Sequence, residues 1–378
     1  MQARDDYFDF VLPTKVLFGP GKREELFREA ESLGYERIGV VTSKEIVQLD
    51  YFEEIQDELK RRGKTVKLFP DVTSNPHLST VSEGYGEFQG YDLDCLVGLG
   101  GGSAIDTTKA ISLCLANGES DITKLNQANR VEPSLPFFAL PTTSGTGSEV
   151  DYWAVISSPE TNEKLSIGVP EMAPLTAIVD PELTLTLPPE LTYFTGIDAF
   201  SHALEAFFSS ASNKLSDTLA LQAMELIFES LETAVEEGNN LSARGDMALA
   251  STLGGAAMQH VGLGLIHAMS HQVSGFYDTN HGLANALLLP NVLEFNRAEV
   301  PGKVNTLEER LGGELPKKIN QLFEIIDPSE YRVSIKKADL PELVTRALRN
   351  VNAETNPRSA GRGEVRRLFE TSFPVEES

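Results

Sequence analysis

The chain has 378 residues, 41% of them apolar, and 56 acidic against 32 basic side chains give it a formal net charge of −24. This length exceeds what one hydrophobic core usually serves, so two packed domains are expected, and the ordinary apolar content excludes a disordered or fibrous protein. The acidic field repels phosphate backbones and anionic lipid, which argues against nucleic acid and membrane surfaces as partners; it also suits a salt-loving host, although a merely acidic cytosolic protein is the commoner case.

The N-terminal stretch carries Asp5 and Asp6 and no unbroken apolar segment of the kind that forms a signal-peptide core. No run of about 18 apolar residues follows anywhere in the chain, so a cytoplasmic location is expected. Short β-branched runs then alternate with helical stretches: Ile38–Thr42, Thr65–Phe69, Cys95–Leu99, Phe137–Leu140 and Ala177–Val179. Such alternation predicts a Rossmann-like parallel sheet with helical crossovers, and ligands bound beyond the carboxyl ends of the strands. Cys95 and Cys114, both inside apolar segments, are expected to be buried small hydrophobes and not a disulfide.

After Cys95–Leu99 comes Gly100-Gly101-Gly102-Ser103 and then a helix with Ile105, Ile111 and Leu115 on it. Glycines let the backbone approach a phosphate, and the free N–H groups of the helix start supply an anion site. Ser103 stands where the third glycine of G-x-G-x-x-G would be, and such turns also occur as packing devices. A second polar loop, Pro141–Glu149, follows the next strand with Thr142, Thr143, Ser144, Thr146 and Ser148 as hydroxyl donors. Two such loops after two strands of one half favour a nucleotide site.

Beyond Pro188 the strand-like runs stop and helical periodicity takes over. The expected division is therefore an α/β nucleotide-binding domain over 1–188 and an all-helical domain over 189–378. In Thr192–Ser210, Ile197, Phe200, Leu204 and Phe208 share one narrow arc and should face the core. Charge runs such as Glu229–Glu237 are expected to be solvated helix faces.

Five of the six histidines fall between His202 and His281. Asp198 and His202 are four apart on one helix face, opposite the core arc, with Glu205 leaning the same way; His267 and His271 repeat the spacing, and His281 follows in a turn-like NHG. A lone histidine is more often a core imidazole, and His77 and His260 keep that assignment. Jointly, two helices and a loop can converge on one cation, and a carboxylate with imidazoles suits Fe²⁺ or Zn²⁺ over calcium or soft metals.

GGGSAIDTTK (100–109), PTTSGTGSE (141–149), DPEL (180–183), GIDAFSHALEAF (196–207) and IHAMSHQVSGFYDTNHG (266–282) together resemble the iron-containing alcohol dehydrogenase family, over nearly the whole chain. The resemblance implies the two-domain architecture shared with dehydroquinate synthase, a nucleotide in the cleft between the domains, and a divalent metal on Asp198, His202, His267 and His281. His271 corresponds to the family's non-ligating histidine near the substrate and is the expected catalytic group, to orient the substrate or shuttle its proton. For the cofactor it implies contacts from Asn75, Gly101, Gly102, Ser103, Asp106, Thr142, Thr143 and Thr146, with Lys164 and Leu183 closing the site. Many relatives carry an aspartate after the IGVVT strand to bind the adenosine ribose. This chain has Ser43 followed by Lys44, which points to NADP(H) or dual use over strict NAD(H).

The expected activity is hydride transfer between a small primary alcohol or diol, or its aldehyde, and NAD(P), with Fe²⁺, Zn²⁺ or another divalent ion as Lewis acid, in a homodimer or larger assembly. Glycerol dehydrogenase-like polyol oxidation and a dehydroquinate synthase-like non-redox cyclase are the alternatives. Candidate walls for the substrate pocket are Tyr152, Trp153, Phe207 and Phe276.

Overall fold

Runs of apolar residues bounded by turns pair best where both faces are covered, and this is how the first half folds. In the computed structural model, which describes residues 8–377, the strands are β1 (Lys15–Phe18), β2 (Arg37–Val41), β3 (Thr65–Phe69), β4 (Cys95–Gly100), β5 (Phe137–Pro141), β6 (Trp153–Ser158), β7 (Glu163–Gly168) and β8 (Thr176–Val179). Asp5 and Asp6 lie outside the described residues. Six strands form one sheet in the order β1-β8-β5-β4-β2-β3 with every pair parallel. β6 and β7 form a separate antiparallel hairpin.

Side chains alternate faces along each strand, so the sheet sorts its apolar residues into two cores. Cys95, Val97 and Leu99 of β4 pack with Phe138 and Leu140 of β5 on one side, while Leu96 packs with Phe137 and Ala139 on the other. Both cysteines are free and buried, and burial pushes both thiols well above their usual range. The turn after β4 leads into α1 (Gly102–Asn117).

Residues 12–187 form one compact unit, and residues 188–377 form another together with Phe8–Val11. This N-terminal segment, which the sequence places with the first half, is held by the second: the Phe10 ring lies 4.3 Å from that of His260, and the Val11 N–H donates to His260 Nε2 at 3.2 Å.

The second unit is helical except for a two-residue parallel ladder between Ile335–Lys336 and Val375–Glu376. Pro189 in the first turn opens α2 (Pro189–Phe208), where its missing N–H costs nothing. Asn213 and Ser216 form a capping box on α3 (Lys214–Glu236), and α4 (Leu241–Val261), α5 (Leu265–Tyr277) and α6 (His281–Asn296) follow. Ile197, Phe200, Leu204 and Phe208 of α2 are all buried in the helical core, as their arc predicts.

Two local features set α6 against α2 and α5. Asp278 takes a left-handed φ of 49° where α5 ends, and Asn280 caps α6 by accepting from the Leu283 N–H at 3.1 Å. A Cβ on Gly282 would lie 2.1 Å from the Phe194 carbonyl oxygen, so only glycine lets the start of α6 touch the α2 backbone. Among the described residues no helix is long and apolar enough to cross a membrane.

Candidate metal centre and nucleotide loops

Asp198 projects from the middle of α2, His267 from the first turn of α5 and His281 from the start of α6. His281, which the sequence places in a turn, is thus the first residue of a helix. One ligand atom from each of the three lies within 4.8 Å of the others. Asp198 Oδ1 is 3.5 Å from His267 Nε2 and 3.7 Å from His281 Nε2. A tetrahedral ion with bonds of about 2.1 Å would set its ligands roughly 3.4 Å apart, so the triangle fits a small divalent cation. His202 stands beside it: its ring stacks on that of His267 with centroids 4.3 Å apart, and its Nδ1 is 3.9 Å from Asp198 Oδ1. His271 lies next to this group, 5.1 Å from the His281 ring and 6.2 Å from that of His267.

The electrostatics favour a cation. Burial alone would raise the Asp198 carboxyl, but the imidazoles of His202, His267 and His281 outweigh it and hold the group below the usual carboxylate range. Burial would likewise lower His267, yet its hydrogen bonds to Asp198 and Glu205 push it up to about 9. A site that binds a proton this strongly offers the same lone pair to a metal.

Two further residues complete the group. The Asn285 amide Nδ2 donates to Asp198 Oδ1 at 2.8 Å and lies 3.3 Å from His267 Nε2. It was discoverable as the i+4 neighbour of His281. Glu205, visible in sequence only as a face-mate of His202, meets His267 Nδ1 at 2.7 Å.

In the α/β unit, parallel pairing puts the carboxyl ends of the six sheet strands along one edge. The loops after β2, β3, β4, β5 and β8 bring Ser43, Asn75, Gly101–Ser103, Thr142–Thr146 and the Asp180–Leu183 turn to that edge. Connections from the adjacent strands β2 and β4 run in opposite directions, so the switch point lies between Ser43 and the glycine turn. The Ser103 hydroxyl donates to the Ser74 carbonyl at 3.3 Å, tying the Asn75 turn to α1. A Cβ on Gly102 would come within 2.4 Å of Thr146, and one on Gly101 within 3.1 Å of Thr143, so the glycines also admit the second loop.

Asp106 ties these parts together, accepting from the Ser148 hydroxyl and from the Val155 N–H at 2.9 Å. Lys164 sits on β7 opposite Ser157. Leu183 does not line the edge with its side chain, which is 1% exposed in the core with Leu26 and Ile178. Phe207, expected as a pocket wall, is also a core residue, with the Lys303 ammonium 4.7 Å above its ring.

Residues 13–181 match the iron-containing alcohol dehydrogenase family, and residues 192–373 match the C-terminal part of the Fe-containing alcohol dehydrogenase family. The chain belongs to the iron-containing alcohol dehydrogenase family. It is 34% identical to the NAD-dependent methanol dehydrogenase of Bacillus methanolicus, over 97% of this chain and 100% of that one. Identity to alcohol dehydrogenase 4 of Schizosaccharomyces pombe is 33%, over 96% and 89% of the two chains. The solved structure of a 1,3-propanediol oxidoreductase superposes with a TM-score of 0.92 at 33% identity, covering 97% of this chain and 100% of that one. This iron-type alcohol dehydrogenase is therefore an oxidoreductase, with the α/β and helical units that its sequence predicts.

Proposed function

We propose that this alcohol dehydrogenase interconverts small primary alcohols or diols and their aldehydes with NAD(P), using one divalent ion, iron in the first instance, on Asp198, His202, His267 and His281. The observation that carries this is the triangle of buried Asp198, buried His267 and part-exposed His281, with His202 stacked on His267. When bound, the ion supplies Lewis acidity toward the alcohol or carbonyl oxygen, and the nicotinamide accepts or returns the hydride.

The chain's own residues supply the rest. Asp198 contributes the formal negative charge and His267 the most buried imidazole. His271, 5% exposed and beside His281, holds a ring nitrogen where a substrate proton can be passed on. Gly101, Gly102 and Ser103 present the start of α1 to a pyrophosphate, and the hydroxyls of Thr142, Thr143 and Thr146 lie beside it.

Cofactor choice turns on the end of β2. Ser43 leaves room for a 2′-phosphate, but Lys44 Nζ is held by Asp71 at 2.6 Å and Ser43 hydrogen-bonds Glu45. Two carboxylates beside one lysine support dual use over strict NADP(H). Asp71→Asn would free Lys44 and should raise the NADPH to NADH ratio of kcat/KM modestly, since solvent screens an exposed pair. An unchanged ratio would mean that Lys44 plays no part in cofactor choice. A homo-oligomer belongs to the same proposal, supported by the outermost strand β1 with Phe18 exposed on it, and light scattering tests it.

The deciding experiment follows reduced-nicotinamide absorbance with iron-reconstituted protein, short alcohols, diols and aldehydes, and both nucleotides. Iron-dependent turnover is expected. Turnover that survives His267→Ala with no bound metal would sink the assignment.

A further inference from the structure

Glu205 is 4% exposed, yet it is not among the four residues assigned to the ion. Its carboxylate accepts from the backbone N–H groups of Gly264 at 3.0 Å, Ile266 at 2.6 Å and His267 at 3.3 Å, all at the start of α5. The same carboxylate meets His267 Nδ1 at 2.7 Å. These contacts join α2 to α5 across more than fifty residues of chain. Gly264 makes room for them, because a Cβ there would lie 2.7 Å from Glu205 Oε1.

An imidazole has one donor and one acceptor nitrogen when neutral. A carboxylate at Nδ1 draws the proton to that nitrogen and leaves the Nε2 lone pair toward Asp198, where the ion would sit. It also fixes the ring plane, and the backbone donors fix the carboxylate in turn. With Asp198, Glu205 brings the buried formal charge to minus two, so a divalent ion makes the cluster neutral whereas a monovalent one leaves it charged.

We infer that Glu205 is a positioning residue for the metal centre: it sets the tautomer and orientation of His267 and supplies the second negative charge that matches the site to a divalent ion. This rests on the metal assignment proposed above.

The test compares metal-free wild type with Glu205→Gln and Glu205→Asp, measuring Zn²⁺ affinity by chelator competition and the visible spectrum of the Co²⁺-loaded protein. Glu205→Gln should lose about 10- to 100-fold in affinity, the usual cost of removing such a partner, and its Co²⁺ spectrum should shift. Asn356→Ala separates helix capping from ligand positioning, since Asn356 Oδ1 accepts from the Leu265 N–H of the same helix start at 3.1 Å but meets no histidine. That variant should lower the melting temperature while leaving Zn²⁺ affinity within about two-fold.

Should Glu205→Gln not fold, Glu205→Asp is decisive, because it keeps the charge and withdraws it from Nδ1 by one methylene; it too should bind Zn²⁺ at least ten-fold more weakly. Wild-type affinity and spectrum in the folded Glu205 variant would overturn the inference while leaving the metal centre in place. Wild type that holds no divalent ion at this cluster would overturn the metal assignment, and this inference with it.

Discussion

At the scale of single residues, a proton and a metal ion compete for one nitrogen of His267. Its pKa of about 9 exceeds the ordinary value near 6.5, because Asp198 and Glu205 outweigh the cost of burial. In metal-free protein this raised pKa contributes stability that is fully present below about pH 6.5 and lost as the pH rises through about 9. Metal binding runs the other way, since the ion must displace that proton. Zn²⁺ association, measured by calorimetry, should strengthen about ten-fold per pH unit up to about pH 9 and then level off. A flat affinity between pH 6.5 and 8.5 would show that His267 does not ligate. The i, i+4 pairs Asp198/His202 and His267/His271 were legible because one helix carries both members of each pair. The partnership of Glu205 with His267 was not, because it spans 62 positions and depends on how α2 meets α5.

At the scale of elements, the sequence announces strands rich in β-branched and apolar residues between turns and conceals the others. β2, β4, β5 and β8, buried along nearly their whole length, and the part-exposed edge strand β3 with Val66, Leu68 and Phe69 fall within a residue or so of their expected bounds. β1 is a four-residue edge strand, and β7 mixes Glu163, Lys164 and Ser166 with apolar residues, so neither stands out in composition. The β6–β7 hairpin owes its place to a buried lysine instead. Lys109 of α1 is fully buried, with Nζ 2.5 Å from Asp151, 2.7 Å from Ser148 Oγ and 2.6 Å from the Trp153 carbonyl. Burial pushes the Asp151 carboxyl up to about 7 even against the pull of Lys109. Lys109→Met would strand that carboxylate and should cost about 3–5 kcal/mol in urea unfolding, whereas Lys109→Met with Asp151→Leu should recover more than half. A double variant no more stable than the single one would mean that the pair is not the link between α1 and the hairpin.

At the scale of the whole molecule, the net charge of −24 opposes the compact state through repulsion among carboxylates. The chain also carries many surface ion pairs, such as Lys15–Glu29, Arg62–Glu31 and Arg310–Glu225, and salt weakens those as well. The two effects have opposite signs, and magnitude decides between them. Exposed pairs contribute about 0–1 kcal/mol each and act over a few ångströms, where screening is least effective. Repulsion among the unpaired acids acts over longer distances, and the Debye length falls from about 10 Å at 0.1 M salt to about 3 Å at 1 M, which removes most of it. Repulsion therefore dominates, and the melting temperature should rise by several degrees between low salt and 1 M KCl at pH 7, where one kcal/mol corresponds to roughly 2–4 °C for a unit of this size. The same rise should be smaller at pH 5, because part of the carboxylate charge has already been neutralised by protons. A melting temperature that falls with KCl would mean that the ion pairs outweigh the net charge, and the acidic surface would then have no bearing on a salt-rich habitat.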